Sequence, residues 1–325
     1  MTGLRRALLA LLLLALTGCQ SVVTGSPSPS TEITPGVAFA PYVDVSVKRP
    51  DLAQVAAATG LKHVTLAFAL AGPGGCNPMW GGTVPAADPA LGAAVDAFRK
   101  AGGDVVVGTG GAVGTYLENA CGTADKLAGA YTGLLDAVRA QRLDVDIEAP
   151  VDATRIATAL AQVQRSRGTA VTLTLPIDLA GLTPAGLDLV RKTVAAGVRL
   201  SVNGMDMNFR TGGDWGQAMV DAGQATLDQM RSVYPDASEA VQNRTLGLTV
   251  MVGRNDAGPV TTVADATKVL EFARSRGLGH VGIWSLGRDT GGCPDAVKPA
   301  VDCSGIAQED LAFTRLLGGF AAVSG

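Results

Sequence analysis

The sequence predicts an α/β fold, a single (β/α)8 TIM barrel, on three observations. Short β-branched runs alternate with longer Ala/Leu-rich segments of helical period, eight such runs follow residue 36, and several helical segments end in Gly just ahead of the next run. A doubly wound open sheet is the main rival, and the count of eight favours closure. Strands are expected at Phe39–Val47, His63–Leu70, Asp104–Thr109, Leu143–Glu148, Ala170–Pro176, Leu200–Met207, Leu246–Val252 and His280–Leu286. Helical patterns cover Leu91–Lys100, Lys126–Ala140, Ala153–Arg165, Thr183–Ala196, Gln217–Val233 and Ala264–Arg276. Gly102, Gly168, Gly197 and Gly277 fit left-handed caps at helix ends, which is fold information and requires no functional reason.

The 325 residues exceed an average domain, but α/β barrels of this size are commonly one domain, so 37–325 is read as one barrel. A net charge of −3 with no long Lys/Arg cluster argues against a nucleic-acid partner. Nothing in the composition demands a partner subunit, and a monomer is expected.

The first residues indicate export. Arg5 and Arg6 precede an apolar run from Ala7 to Leu16 that is too short to span a bilayer and reads as the core of a signal peptide, residues 1–18. The LTGC sequence at Leu16–Cys19 resembles a bacterial lipobox, which implies cleavage before Cys19 and lipidation of its thiol; an ordinary signal cut elsewhere is the alternative. Residues 19–36, rich in Ser, Thr and Pro, fit a flexible tether between a membrane anchor and the barrel. The expected location is extracytoplasmic, on the cell membrane.

Apart from Cys19, four cysteines remain, and in an oxidising compartment an even number suggests disulfides. Of the three possible pairings, Cys76–Cys121 and Cys293–Cys303 are favoured because each closes a loop near a strand end. A metal site is disfavoured: no close C-x-x-C pair exists, and His63 and His280 are the only histidines. No cofactor is implied.

RLDVDIEAP, residues 142 to 150, carries the chemistry. Side chains alternate across a strand, so Asp144, Asp146 and Glu148 share one face, about 6.5–7 Å apart, while Leu143, Val145 and Ile147 share the other. Acids crowded on an interior face resist ionisation, and a carboxyl that stays protonated near neutral pH can act as a general acid toward a leaving-group oxygen. In an α/β barrel the groups that act on substrate sit at the carboxyl ends of strands, where Glu148 falls. The structural alternative is a hydrogen-bonded polar core, and a carboxylate metal site lacks an evident ligand set.

LDVDIE resembles the end of the D-x-x-D-x-D-x-E signature of glycoside hydrolase family 18, the chitinase family. The resemblance implies that Glu148 is the proton donor, that Asp146 orients both Glu148 and the substrate acetamide, and that Asp144 is a buried support. In this family the substrate's own N-acetyl oxygen attacks the anomeric carbon. GTGG at Gly108–Gly111 is similar to the family's S-x-G-G and brings in Gly110 and Gly111. GMDMNF at Gly204–Phe209 resembles the M-x-Y-D or M-x-M-D element lining the central sugar site, implicating Met205, Met207 and Asn208. IWSLGRD at Ile283–Asp289 resembles the last strand, whose Trp284 would floor that site. CNPMWGGT and MVGRND are similar to segments of secreted actinobacterial chitinases and add Trp80 and Asn255. These residues also have plainer readings: Trp284, Met205 and Met207 as core and Asn208 as a loop cap, while Trp80 and Trp215, both in Gly-rich surroundings, either extend a sugar-binding cleft or shield the barrel top.

The departures are Gln141 for Asp, Arg142 for Gly, Gly108 for Ser and Asn208 for Asp. The resemblance thus implies hydrolysis of chitin, β-1,4-linked N-acetylglucosamine, with a weakly catalytic carbohydrate-binding lipoprotein or a hydrolase of another N-acetylated glycan as alternatives. With aromatics at 4%, soluble chains are a better expected substrate than crystalline chitin.

Overall fold

The computed structural model describes residues 37–47 and 49–320; the signal peptide and the whole tether, Cys19 included, lie outside the described residues. Eight strands form the barrel: β1 Tyr42–Asp44, β2 His63–Ala71, β3 Asp104–Gly110, β4 Arg142–Asp146, β5 Ala170–Asp178, β6 Leu200–Asp206, β7 Leu246–Met251 and β8 His280–Trp284. Each pairs in parallel with the next. The ring closes through a parallel bridge from Phe39 to Val281, with the Val281 N–H donating to the Ala38 carbonyl at 2.9 Å.

The expected strands and helices are present, and the helices show why the chain turns where it does. The main helix between each pair of successive barrel strands starts at an Asp or Thr whose side chain accepts a backbone N–H of the first turn: Asp51, Asp88, Thr123, Asp152, Thr183, Asp214 and Thr262. Gly102, Gly168, Gly197 and Gly277 all have positive φ at the far ends. Helices Leu52–Thr59 and Ala312–Gly318 were not expected from the sequence; at eight and seven residues they have too few turns to display a period.

Leu143, Val145, Leu173 and Val202 are buried among the aliphatic side chains of the core. The interior of the ring is polar instead. Tyr42 and Thr174 donate to the two oxygens of Asp144 at 2.7 and 2.6 Å. Asn203 donates to Tyr42 Oη at 3.2 Å and to Thr174 Oγ1 at 3.1 Å, and Thr249 donates to Asn203 Oδ1 at 3.0 Å. Five strands are thereby tied through one buried network.

Both expected disulfides form. Cys76–Cys121 joins the loop after β2 to the end of the short helix Leu117–Ala120, and Cys293–Cys303 closes a loop after β8. Among the described residues, no group of three or more His, Cys, Asp or Glu is placed to hold a metal ion.

Candidate active site

A cleft of about 520 Å³ opens at the carboxyl ends of the strands, lined by Asp146, Glu148, Met205, Met207, Asn208, Trp284 and Gly110 among others. The strand that supplies the acids stops two residues short of the expected Glu148: β4 ends at Asp146, and Ile147 keeps one ladder bond, to the Thr174 carbonyl at 2.9 Å, before the chain leaves the barrel. Glu148 therefore stands on the exit of the strand, exposed to the cleft, while Asp144 and Asp146 are buried below it.

The three carboxyls have different surroundings. Asp144 accepts from Tyr42 and Thr174; burial raises its carboxyl to about 6 against the opposing pull of those hydrogen bonds. Asp146 is 3% exposed, and its Oδ1 has no hydrogen-bond partner within the protein. Burial first, then the charges of Glu148, Asp144 and Glu118, hold it well above the usual carboxylate range. Desolvation by the cleft walls and the charge of Asp256 push Glu148 to about 7. One acid is saturated with donors, one is buried with an oxygen to spare, and one is protonatable near neutral pH.

Backbone contacts lock this arrangement. The Gly111 N–H donates to the Asp146 carbonyl at 3.1 Å. Gly110 adopts φ +87°, and a Cβ there would meet the Asp146 carbonyl oxygen at 1.8 Å, so only glycine allows β3 and β4 to end side by side. Tyr116, buried on the loop after β3, donates to the Gly111 carbonyl at 2.5 Å and accepts the Glu148 N–H at 3.1 Å. Behind it Glu118 accepts from Thr109 at 2.8 Å and Tyr131 at 2.7 Å.

The floor is aromatic. Trp284 stacks on Phe68 with centroids 5.5 Å apart and planes within 13°, and Tyr42 tilts against both. Met205, Met207 and Met251 pack beside Trp284. An apolar floor beneath carboxyl groups suits the alternating faces of a pyranose ring.

The chain itself matches known glycosidases. No sequence-family model matches it. It is 34% identical over 278 residues to the "Probable bifunctional chitinase/lysozyme" of Escherichia coli (strain K12), a match covering 78% of this chain and 31% of that protein. It is 34% identical over 274 residues to "Endochitinase 11" of Metarhizium anisopliae, covering 77% of this chain and 52% of that protein. The chain thus spans a third to a half of these curated relatives. Its fold superposes on the catalytic domain of a hyperthermophilic chitinase from Pyrococcus furiosus with TM-score 0.80 and 32% identity, covering 90% of this chain and 97% of that one. The chain belongs to the chitinase family. Within it, the structure sorts the residues expected from sequence.

Asp144, Asp146, Glu148, Met205, Met207, Asn208, Trp284 and Gly110 converge at the cleft or directly beneath it. Three others do not line it, which corrects the sequence expectation. Trp80 sits on a hairpin strand, Pro78–Trp80, paired with Ala69–Ala71; its ring is fully buried and its Nε1 donates to the Ala86 carbonyl at 3.1 Å, so its role is packing. Gly111 keeps space for the Phe68 ring, which a Cβ would meet at 2.5 Å, and does not line the cleft. Asn255 is buried; it accepts the Asn208 N–H at 2.9 Å and donates to Gly253 and Thr261. Trp215, one of the two tryptophans weighed for the cleft, is likewise buried, against Phe209 and Thr261.

Asn208 has a use of its own. At φ +63°, a conformation asparagine tolerates better than most residues, its Oδ1 accepts the N–H groups of Asp256 at 2.9 Å and Ala257 at 3.3 Å. The amide latches the tip of the hairpin Gly253–Arg254/Val260–Thr261 and so places Asp256 on the cleft wall. The residues that sequence reasoning missed are Tyr42, Thr174, Phe68, Tyr116 and Asp256. Thr174 alternates with buried Leu173 and Leu175 on an expected strand, a signal that was available; Tyr116 and Asp256 lie on loops, where no period marks them.

Proposed function

We propose that this chain hydrolyses β-1,4-linked N-acetylglucosamine chains with retention, using the acetamide of the substrate as nucleophile. The observation that carries the proposal is the contrast between Asp144 and Asp146: two buried acids on one strand, the first with both oxygens occupied and the second with one left free, directly below a protonatable Glu148. Protonated Glu148 donates to the glycosidic oxygen as the bond to the anomeric carbon breaks. The acetamide oxygen attacks that carbon, giving an oxazolinium ion; the free Asp146 oxygen accepts the acetamide N–H and supports its growing positive charge. Ionised Glu148 then takes a proton from the water that opens the ring, so configuration is retained.

Attachment to the membrane through lipid on Cys19, action as a monomer, and a location outside the cytoplasm belong to the same proposal and rest on the amino-terminal sequence. Mass spectrometry of N-acetylglucosamine oligomers incubated with purified protein, beside Glu148→Gln, tests the reaction. Shorter oligomers formed only by wild type are expected. Equal turnover by the variant would remove Glu148 from the chemistry, and no cleavage by either across pH would favour a binding protein or a different N-acetylated glycan.

A further inference from the structure

Besides Asp146 and Glu148, which cleavage of a neutral polymer uses, the cleft carries three acids that it does not require. Five acids line the cleft: Asp44 at the end of β1, Asp146 at the end of β4 and Glu148 just beyond it, Asp178 at the end of β5, and Asp256 on the hairpin after β7. Among the described residues the lining holds no Lys, Arg or His. The cation beneath the hairpin, Arg288, is 3% exposed and its guanidinium is taken up by the carbonyls of Val252 and Arg254. Arg210, next to Phe209, is exposed outside the lining.

The rim acids are fixed in place. Asp44 accepts the N–H and hydroxyl of Ser46 at 2.9 and 2.6 Å, Asp178 accepts the Ala180 N–H at 2.7 Å, and the Asp256 backbone is held by Asn208. None of the three forms an ion pair among the described residues. Three acids, at the ends of β1 and β5 and on the hairpin after β7, surround one concavity, and low-dielectric walls concentrate their field within it. Asp146, 3% exposed and with its Oδ1 unpartnered, lines the same concavity, which ties the rim acids to the site of reaction.

We propose that the preferred substrate is a partly deacetylated chain, in which ammonium-bearing glucosamine units lie against Asp44, Asp178 and Asp256 while an N-acetylated unit occupies the position above Asp146. This rests on the reaction proposed above and narrows its substrate. Removing an acetyl group replaces an amide by an ammonium, which gains attraction to each rim acid and adds charge-assisted hydrogen bonds. The unit at the cleaved bond must keep its acetyl group, because that group is the nucleophile. A polymer mixed in acetylation satisfies both demands; a fully acetylated one leaves Asp44 and Asp178 without a cationic partner, while Asp256 feels only the buried Arg288.

The test uses the full chain and two soluble oligomer sets of equal length, one fully acetylated and one partly deacetylated, in mildly acidic buffer. Wild type is expected to favour the mixed set in kcat/KM by at least about threefold at low salt, the preference shrinking as salt is added, as for exposed ion pairs. New reducing ends should all be N-acetylated, with glucosamine enriched beside them. The Asp44→Asn/Asp178→Asn double variant should lose the preference. Equal losses on both sets, with no salt dependence, would show that the acids serve neutral hydroxyls and would overturn the inference. Calorimetric binding of both sets to Glu148→Gln keeps the two proposals apart: tighter, salt-sensitive binding of the mixed set supports the inference even if wild type cleaves neither, and equal binding overturns it even if wild type cleaves chitin.

Discussion

The hydroxyl of Tyr116 accepts the backbone N–H of Glu148 at 3.1 Å while donating to the carbonyl of Gly111 at 2.5 Å. Glu148 lies beyond the last residue of β4, so the strand no longer fixes its backbone there; a side chain from the neighbouring loop does so instead. Tyr116→Phe removes both bonds and leaves the Glu148 N–H unpaired when substrate closes the cleft. The expected result is a fall in kcat of about tenfold with KM little changed, the loss of one buried hydrogen bond felt by the proton donor. A parallel rise in KM with kcat intact would show that Tyr116 only shapes the cleft.

Glu148 must carry a proton to donate one, and its carboxyl is raised to about 7, by burial first and Asp256 second. Activity should therefore fall as pH rises through about 7. Asp256→Asn removes the second cause, so this limb should move to lower pH; a full pH–kcat/KM profile of both proteins checks it, and an unmoved limb would mean that the Asp256 charge does not reach Glu148.

The Asp144 network predicts a stability effect distinct from chemistry. Thr174→Val deletes a donor to Asp144 and strands an Asn203 N–H in the barrel interior. Unfolding in urea should show a loss of about 1–3 kcal/mol, the usual cost of an unsatisfied buried group, and the Asp144 carboxyl should rise further above about 6. A loss near zero would mean that water replaces the threonine.

Asp206, the last residue of β6, is fully buried with neither oxygen hydrogen-bonded, and burial holds its carboxyl well above the usual range. The folded chain thus keeps a proton that the unfolded chain releases above about pH 4. Stability from this group is complete below that pH and is lost as pH rises toward the folded value. Asp206→Asn should flatten the decline in unfolding free energy between about pH 4 and 8. An identical slope in the variant would reveal a partner for the acid.

Much of this was legible in the chain. Period-two and helical patterns gave the barrel, since burying one face imposes a spacing that survives in any one-dimensional reading. The D-V-D-I-E alternation located the acids for the same reason. The loops carry no such constraint, which is why Trp80 was expected at the cleft and instead packs, buried, on a hairpin strand, and why Asn255 was expected on substrate and instead holds Asn208.

The sequence by itself determined the strand count and the shared face of Asp144 and Asp146, both properties of spacing along the chain, and it favoured the cysteine pairing that forms. Only the tertiary structure decided which of those acids is saturated and which is free. That depends on Tyr42, Thr174 and Asn203, which stand on three other strands and meet Asp144 only when the ring closes. It also decided that Asn208, an amide where the resemblance implies an acid, serves to hold Asp256 on the cleft wall. Proton affinity in a low-dielectric site is set by what lies within a few ångströms, and chain proximity says little about that distance.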